Sequence, residues 1–130
     1  MTLSKKLAPA ALSAALAAAL MLAPAPLAAH HSYAMFDMAR TVQLEGTIAR
    51  FKWQNPHAFI EVDVAVNGKV ERWAIEMTSP NNLIQEGWKR SSLKGGDKVM
   101  LYVHPLRSGA RGGSYVGVRL ANGSTLGDVE

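Results

Sequence analysis

The segment HAFIEVDVAVNGKVERWAIEM, residues 57–77, decides the fold. Ile60, Val62, Val64 and Val66 alternate with Phe59, Glu61 and Asp63, which is the period of a half-buried strand. Asn67-Gly68 follows directly. Both residues tolerate positive φ, so the pair reads as a two-residue hairpin. The chain then returns over 69–77, with Trp73, Ile75 and Met77 on one face and Arg72, Ala74 and Glu76 on the other. Two antiparallel strands of this kind need further strands to cover them.

Those strands are legible on both sides. Upstream, 41–53 reads as a long strand in which Val42, Leu44, Gly46 and Ile48 alternate until the phase slips to Phe51 and Trp53. Gly46 and the slip predict a bend or a bulge. Gln54-Asn55-Pro56 is turn chemistry. Downstream, Ser79-Pro80 predicts a short helix with Ser as N-cap and Pro at its first position, ended by Gly87. A fourth strand is expected over 98–104, with Val99, Leu101 and Val103 inward and Pro105 stopping the ladder. The glycine-rich stretch 106–113 is a basic loop. A fifth strand is expected over 114–120, with Val116, Val118 and Leu120 inward. Three strands in a meander, a helix and two more strands match a five-stranded Greek-key barrel of the OB type: all-β with one short helix. A small β-sandwich is the alternative, and it would usually show about seven strands.

Residues 1–29 have a different character. Lys5-Lys6 precede an Ala/Leu run that ends in prolines and Ala28-Ala29. That pattern predicts a secretory signal peptide, with export to the periplasm or beyond. A retained anchor is disfavoured because the apolar run is short and mostly alanine. The expected organisation is a leader over 1–29, an arm over 30–40, a barrel over 41–126 and a frayed tail over 127–130. Removing the leader from the 130 residues leaves 101, a size for one domain. The full charge of +4 falls to +2, because the leader carries two lysines and no acids. Such a mild charge gives no reason to expect nucleic acid. No membrane partner is expected after cleavage. There is no cysteine, hence no disulfide and no thiolate site.

The runs His30-His31-Ser32 with Phe36-Asp37, Asn55-Pro56-His57, Ser79-Pro80, Gly87-Trp88, Leu93-Lys94 with Gly96-Asp97, and His104-Pro105 occur in this order. In them the chain resembles a secreted bacterial family, domain-of-unknown-function family 6152, over nearly all of the processed chain. The resemblance implies export and a single β domain. It implies no activity, and it supplies no catalytic residue.

The sequence points to metal chemistry at one place. Cleavage after Ala29 would leave His30 and His31 beside a free α-amine, a nitrogen set that suits square-planar copper(II). Cleavage after Ala28 would make His31 the third residue, which also suits copper(II). The amine, with a pKa near 8, would have to release a proton on binding. His57 and His104 are the other two histidines. A histidine at a barrel rim more often pins a loop than binds metal, and Asn55 is the expected partner of His57. Strand direction puts His57 at the end where the first strand finishes, near Glu76 and Met77. It puts His104 at the opposite end, where the arm enters, so His104 is the expected partner of His30 and His31. Met35, Met38, Met77 and Met100 could bind copper(I), but methionine usually fills gaps in a core.

The leading expectation is therefore an exported protein that binds copper or another transition metal through His30, His31 and His104 or His57. A metal-free module is the alternative, binding a small ligand or protein at a rim of Trp53, Phe59 and Glu76. Core packing is the commoner fate of such aromatics. Arg107 and Arg111 lack a phosphate-loop pattern. No catalytic motif is present. An oxidative enzyme built on a histidine brace is the weakest reading, since it needs histidine as the first residue.

Overall fold

The structure is a computed structural model and describes residues 33–130. His30, His31 and the leader lie outside the described residues. Six strands and one helix follow in order: β1 (Val42–Lys52), β2 (Phe59–Val66), β3 (Lys69–Glu76), α1 (Pro80–Gln85), β4 (Lys98–Pro105), β5 (Gly112–Leu120) and β6 (Thr125–Gly127). They form one sheet in the order β3-β2-β1-β4-β5-β6, and β3 also pairs with β5. The added pairing is parallel and closes the first five strands into a barrel of OB topology.

The opening hairpin forms as its residues require. Asn67 and Gly68 both have positive φ, at 50° and 77°. Register then runs unbroken from Val66 opposite Lys69 to Phe59 opposite Glu76. Ile60, Val62, Val64 and Ile75 face inward and are buried. The phase slip in β1 is a bulge at Ala49, where the register with β2 shifts between Ile48 and Arg50. Gly46 lies against β2 with no room for a side chain. A Cβ there would sit 2.5 Å from the Asp63 carbonyl oxygen and 2.7 Å from Val62 Cγ2.

Helix α1 starts as read. Ser79 Oγ accepts from the Asn82 amide at 3.4 Å, Pro80 opens the helix, and Gly87 leaves it with φ of 91°. A six-residue helix has little stability of its own. Tertiary burial holds it, because Leu83, Trp88 and Leu93 all join the barrel core. Leu93 is thus a core residue, although its neighbours form a turn.

Four expectations are corrected. Pro105 does not stop the ladder but ends β4, paired with Gly113. It lacks an N–H, but its carbonyl is still free to bond the arm. In β5 a bulge at Val116 reverses the parity of the strand, since Tyr102 pairs with Gly117 while Val103 pairs with Tyr115. Tyr115 therefore packs against the core in place of Val116. Tyr102, assigned to the outer face, is buried. The tail is not frayed at Gly127, because β6 pairs with β5 and the Asp128 amide donates to Val116 O at 3.0 Å. Three residues are too few to show a period.

Ion pairs decorate the outside. Lys52 and Arg50 flank Glu61, Arg72 grips Asp63 at 2.8 Å, and Lys94 meets Asp97 at 2.9 Å. Each partner holds its carboxyl below the ordinary value, chiefly through a side-chain hydrogen bond: Lys52 for Glu61, Arg72 for Asp63 and Lys94 for Asp97.

Two outcomes follow. Gly46→Ala should destabilise the domain by roughly 1–3 kcal/mol through overpacking against β2, as read by urea denaturation. The depressed carboxyls contribute stability at pH above their unfolded values, and that share is lost as pH falls through the folded ones. Tm should therefore be flat near neutrality and decline below about pH 4.5. Glu61→Gln should make that decline shallower, by a small amount because the pairs face solvent.

Candidate metal-binding site

The seam that closes the barrel organises the site. Ala74, Ile75 and Glu76 of β3 lie opposite Gly112, Gly113 and Ser114 of β5. On the other side of β5, Ser114 pairs with His104 and Gly113 with Pro105 of β4. Registered neighbours share a face of the sheet, so Glu76, Ser114 and His104 form one outward row across three strands. The two glycines make the approach feasible. A Cβ on Gly113 would lie 2.7 Å from the His104 carbonyl oxygen, and one on Gly112 would lie 2.8 Å from Leu106 Cδ1.

His57 extends the row. The β2–β3 ladder continues past the named strands, with Ala58 N donating to Thr78 O at 3.1 Å and Met77 N to Ala58 O at 2.9 Å. His57 therefore stands beside the end of β3, where its Nδ1 bonds the Glu76 carboxylate. The partner expected for His57, Asn55, is not the one found. His104 does lie where β1 begins and the arm enters, as expected, but its separation from His57 needs correction. Counting strand directions separates His57 from His104 by the length of the barrel. The stagger of the strands instead brings the start of β5 beside the end of β3. Along the curved sheet the two histidines are separated by about three strand spacings, a path of ~14 Å that bounds the distance between their backbones from above.

The ring of His104 is fixed in the same way. Its Nδ1 lies 2.7 Å from Arg40 O. A carbonyl and a carboxylate only accept, so both imidazoles donate from Nδ1. In the neutral rings Nε2 then carries the lone pair, and neither Nε2 has a protein partner among the described residues. This is how metal-binding histidines are oriented, with the second nitrogen tied to a carboxylate or a backbone carbonyl. Among the described residues no three His, Asp or Glu side chains converge on one point.

The arm is docked, not free. Phe36 forms a bridge with Leu106 and is buried. Asp37 N donates to Pro105 O at 2.8 Å, and Arg107 N donates to Met35 O at 2.9 Å. Arg107 also reaches Ala34 O at 3.3 Å and lies 4.0 Å from the Asp37 carboxylate. Arg111 pairs with Glu71 at 3.1 Å. The basic loop thus fastens the arm and β3.

The aromatic rim is split. Phe51, Trp53, Trp88 and Tyr115 stack in a chain of edge and tilted contacts 5.4–5.6 Å apart. Tyr115 donates to Leu126 O at 2.8 Å, and burial pushes its phenol up. Trp53 lines an apolar groove of about 400 Å³ with Ile84, Gly87, Trp88, Lys89 and Arg90. Phe59 stands opposite Glu76 and Lys52, outside that groove. Phe59 and Glu76 are registered neighbours, while Trp53 lines the groove beside Trp88. Ser114 and the Arg40 carbonyl were not among the expected site groups. The Gly112-Gly113 pair before Ser114 is the sequence signal that marks the seam.

With this geometry in hand, the profile of a family of unknown function (DUF6152) matches residues 17–115. The chain belongs to that family. No curated protein matches the chain at a significant level. Among solved structures the chain is similar to Rim1, a mitochondrial single-stranded DNA binding protein from S. cerevisiae. The two share 10% identity with a TM-score of 0.47, over 63% of this chain and 94% of that one.

Long-range ¹H–¹⁵N correlation spectra at about pH 8, above the ordinary histidine range, test the ring assignments. Both His57 and His104 should carry their proton on Nδ1. Glu76→Ala should release His57 into tautomer exchange and leave His104 unchanged.

Proposed function

We propose that the protein is an exported metal-binding domain that takes copper(II) at the amino terminus of its processed chain, with His104 as the barrel's contribution. The observation that carries this reading is the bond from His104 Nδ1 to Arg40 O, because it ties the oriented imidazole to the arm that leads to His30 and His31. From Ala34, fastened to Arg107, four residues lead back to His30, a reach of up to ~14 Å. An α-amine, one or two terminal imidazoles and His104 Nε2 make a nitrogen set suited to copper(II). No cysteine competes for the metal. His57 is a second oriented imidazole on the same girdle. Its bond to Glu76 accounts for that carboxylate, which the rim alternative would otherwise use.

The metal-free reading has an observation of its own, the apolar groove with Trp53 at its wall and Lys89 and Arg90 at its edge. It serves as the alternative outcome of the same experiment.

Mass spectrometry of the exported protein should place the first residue at His30, or at Ala29 if cleavage falls one residue earlier. Copper(II) titration then compares the processed protein with a form carrying one extra N-terminal residue, with His104→Asn and with His57→Asn. Asparagine can keep a donor near the Nδ1 position while removing Nε2. The extension and His104→Asn should each weaken Kd at least tenfold, about 1.4 kcal/mol, while His57→Asn changes it little. Equal affinity in the extended form would overturn the reading. Binding weaker than micromolar in every form would favour the groove.

A further inference from the structure

The docked arm carries a donor set that the copper(II) reading leaves unused. Of the methionines in the described residues, Met77 is buried in the core and Met100 is half-buried on β4. Met35 and Met38 are different, at 48% and 47% exposed, although Phe36 between them is buried at 3%. The arm thus buries one apolar side chain and leaves two methionines about half exposed.

Two successive turns hold in place the backbone that carries those thioethers. The first closes with Phe36 N donating to Tyr33 O, and Met35 is its third residue. The second closes with Arg40 N donating to Asp37 O, and Met38 is its second residue. Both ends of the second turn are fastened to β4: Asp37 N to Pro105 O at 2.8 Å, and Arg40 O to His104 Nδ1 at 2.7 Å. Met38 therefore sits in a clamp whose far jaw is the oriented imidazole. Met35 is fixed beside it by the bond from Arg107 N to its carbonyl.

Singly exposed apolar residues are ordinary. Two thioethers on a fastened backbone beside an imidazole with an unused Nε2 are a ligand set. Thioether sulfur is soft and selects copper(I) over the harder divalent ions. It has no proton to lose, so binding does not wait on the pH as an amine does.

We infer that Met35, Met38 and His104 form a copper(I) site on the arm-to-β4 clamp. This rests on the copper reading only in sharing His104. The methionines and the terminal amine are separate donors, and each can be removed alone.

The test is anaerobic copper(I) competition against bicinchoninate, run beside copper(II) titration. It uses the processed protein, the double variant Met35→Leu/Met38→Leu and the form with one extra N-terminal residue. Leucine conserves apolar volume at two exposed positions, so the fold should be kept, as thermal melting will show. The double variant should lose at least about tenfold in copper(I) affinity and keep its copper(II) affinity. The extended form should do the reverse. X-ray absorption of the copper(I)-loaded processed protein should show sulfur in the first shell. Unchanged copper(I) affinity in the double variant, or a first shell without sulfur, would overturn the inference. A copper(II) affinity that ignores the extension would overturn the terminal site alone.

Discussion

Closure of the barrel depends on a parallel ladder only three residues long, from Ala74–Glu76 to Gly112–Ser114. Parallel pairing is slightly weaker per residue than antiparallel pairing, so this seam is held by what surrounds it. Two glycines let β5 pass close to β3 and β4 where any side chain would collide. Arg111, just before the seam, pairs with Glu71, and its carbonyl accepts from Ala74 N at 3.3 Å. Because a closed barrel must stagger its strands, the seam also fixes which distant residues become neighbours. It joins the end of the third strand to the start of the fifth, and through the fifth to the end of the fourth. His57, Glu76, Ser114 and His104 line up for that reason. No local preference of those residues places them there.

Local chemistry was readable where the signal is short in range. Asn67-Gly68, Ser79-Pro80 and Gly87 each do what their conformational preferences dictate, and the alternation survives into the barrel over 59–64, while Val66 beside the hairpin turn is exposed. The order of the elements led to the OB path. The failures share one physical cause, namely that they depend on partners far away in the chain. The bulge at Val116 turns Tyr115 inward, and it arises from the register between β4 and β5. Leu93 looks like a turn residue until α1 and Trp88 are packed around it. The adjacency of His57 and Glu76 followed from strand direction alone. That of His104 to the same seam did not, because direction ignores stagger. The bond from His104 to Arg40 O has no sequence signature, since any residue can supply a carbonyl.

The two histidines illustrate how a surface group is made specific. An exposed imidazole in water exchanges its proton between two nitrogens and turns freely. A carboxylate on one ring and a backbone carbonyl on the other remove both freedoms, because neither partner can donate. What remains is a lone pair on Nε2. For His57 the hydrogen-bond acceptor is a side chain, Glu76, which substitution can remove. For His104 it is the main chain of the arm, so the orientation of that ring and the docking of the arm are one structural fact.

That coupling bears on how tightly a metal could be held. A ligand set drawn from a free chain end must be ordered when it binds, and the entropy of ordering opposes affinity. Here the segment after Ser32 is already held by buried Phe36, by its bonds to Pro105, Arg107 and His104, and by two closed turns. In the proposed sites the arm would lower the entropic opposition to binding and would supply a carbonyl that orients His104, with Met35 and Met38 next to the residue that anchors it. Phe36 is thus the arm's principal apolar anchor. Its burial beside Leu106 keeps the Arg40 carbonyl and the His104 imidazole in one neighbourhood.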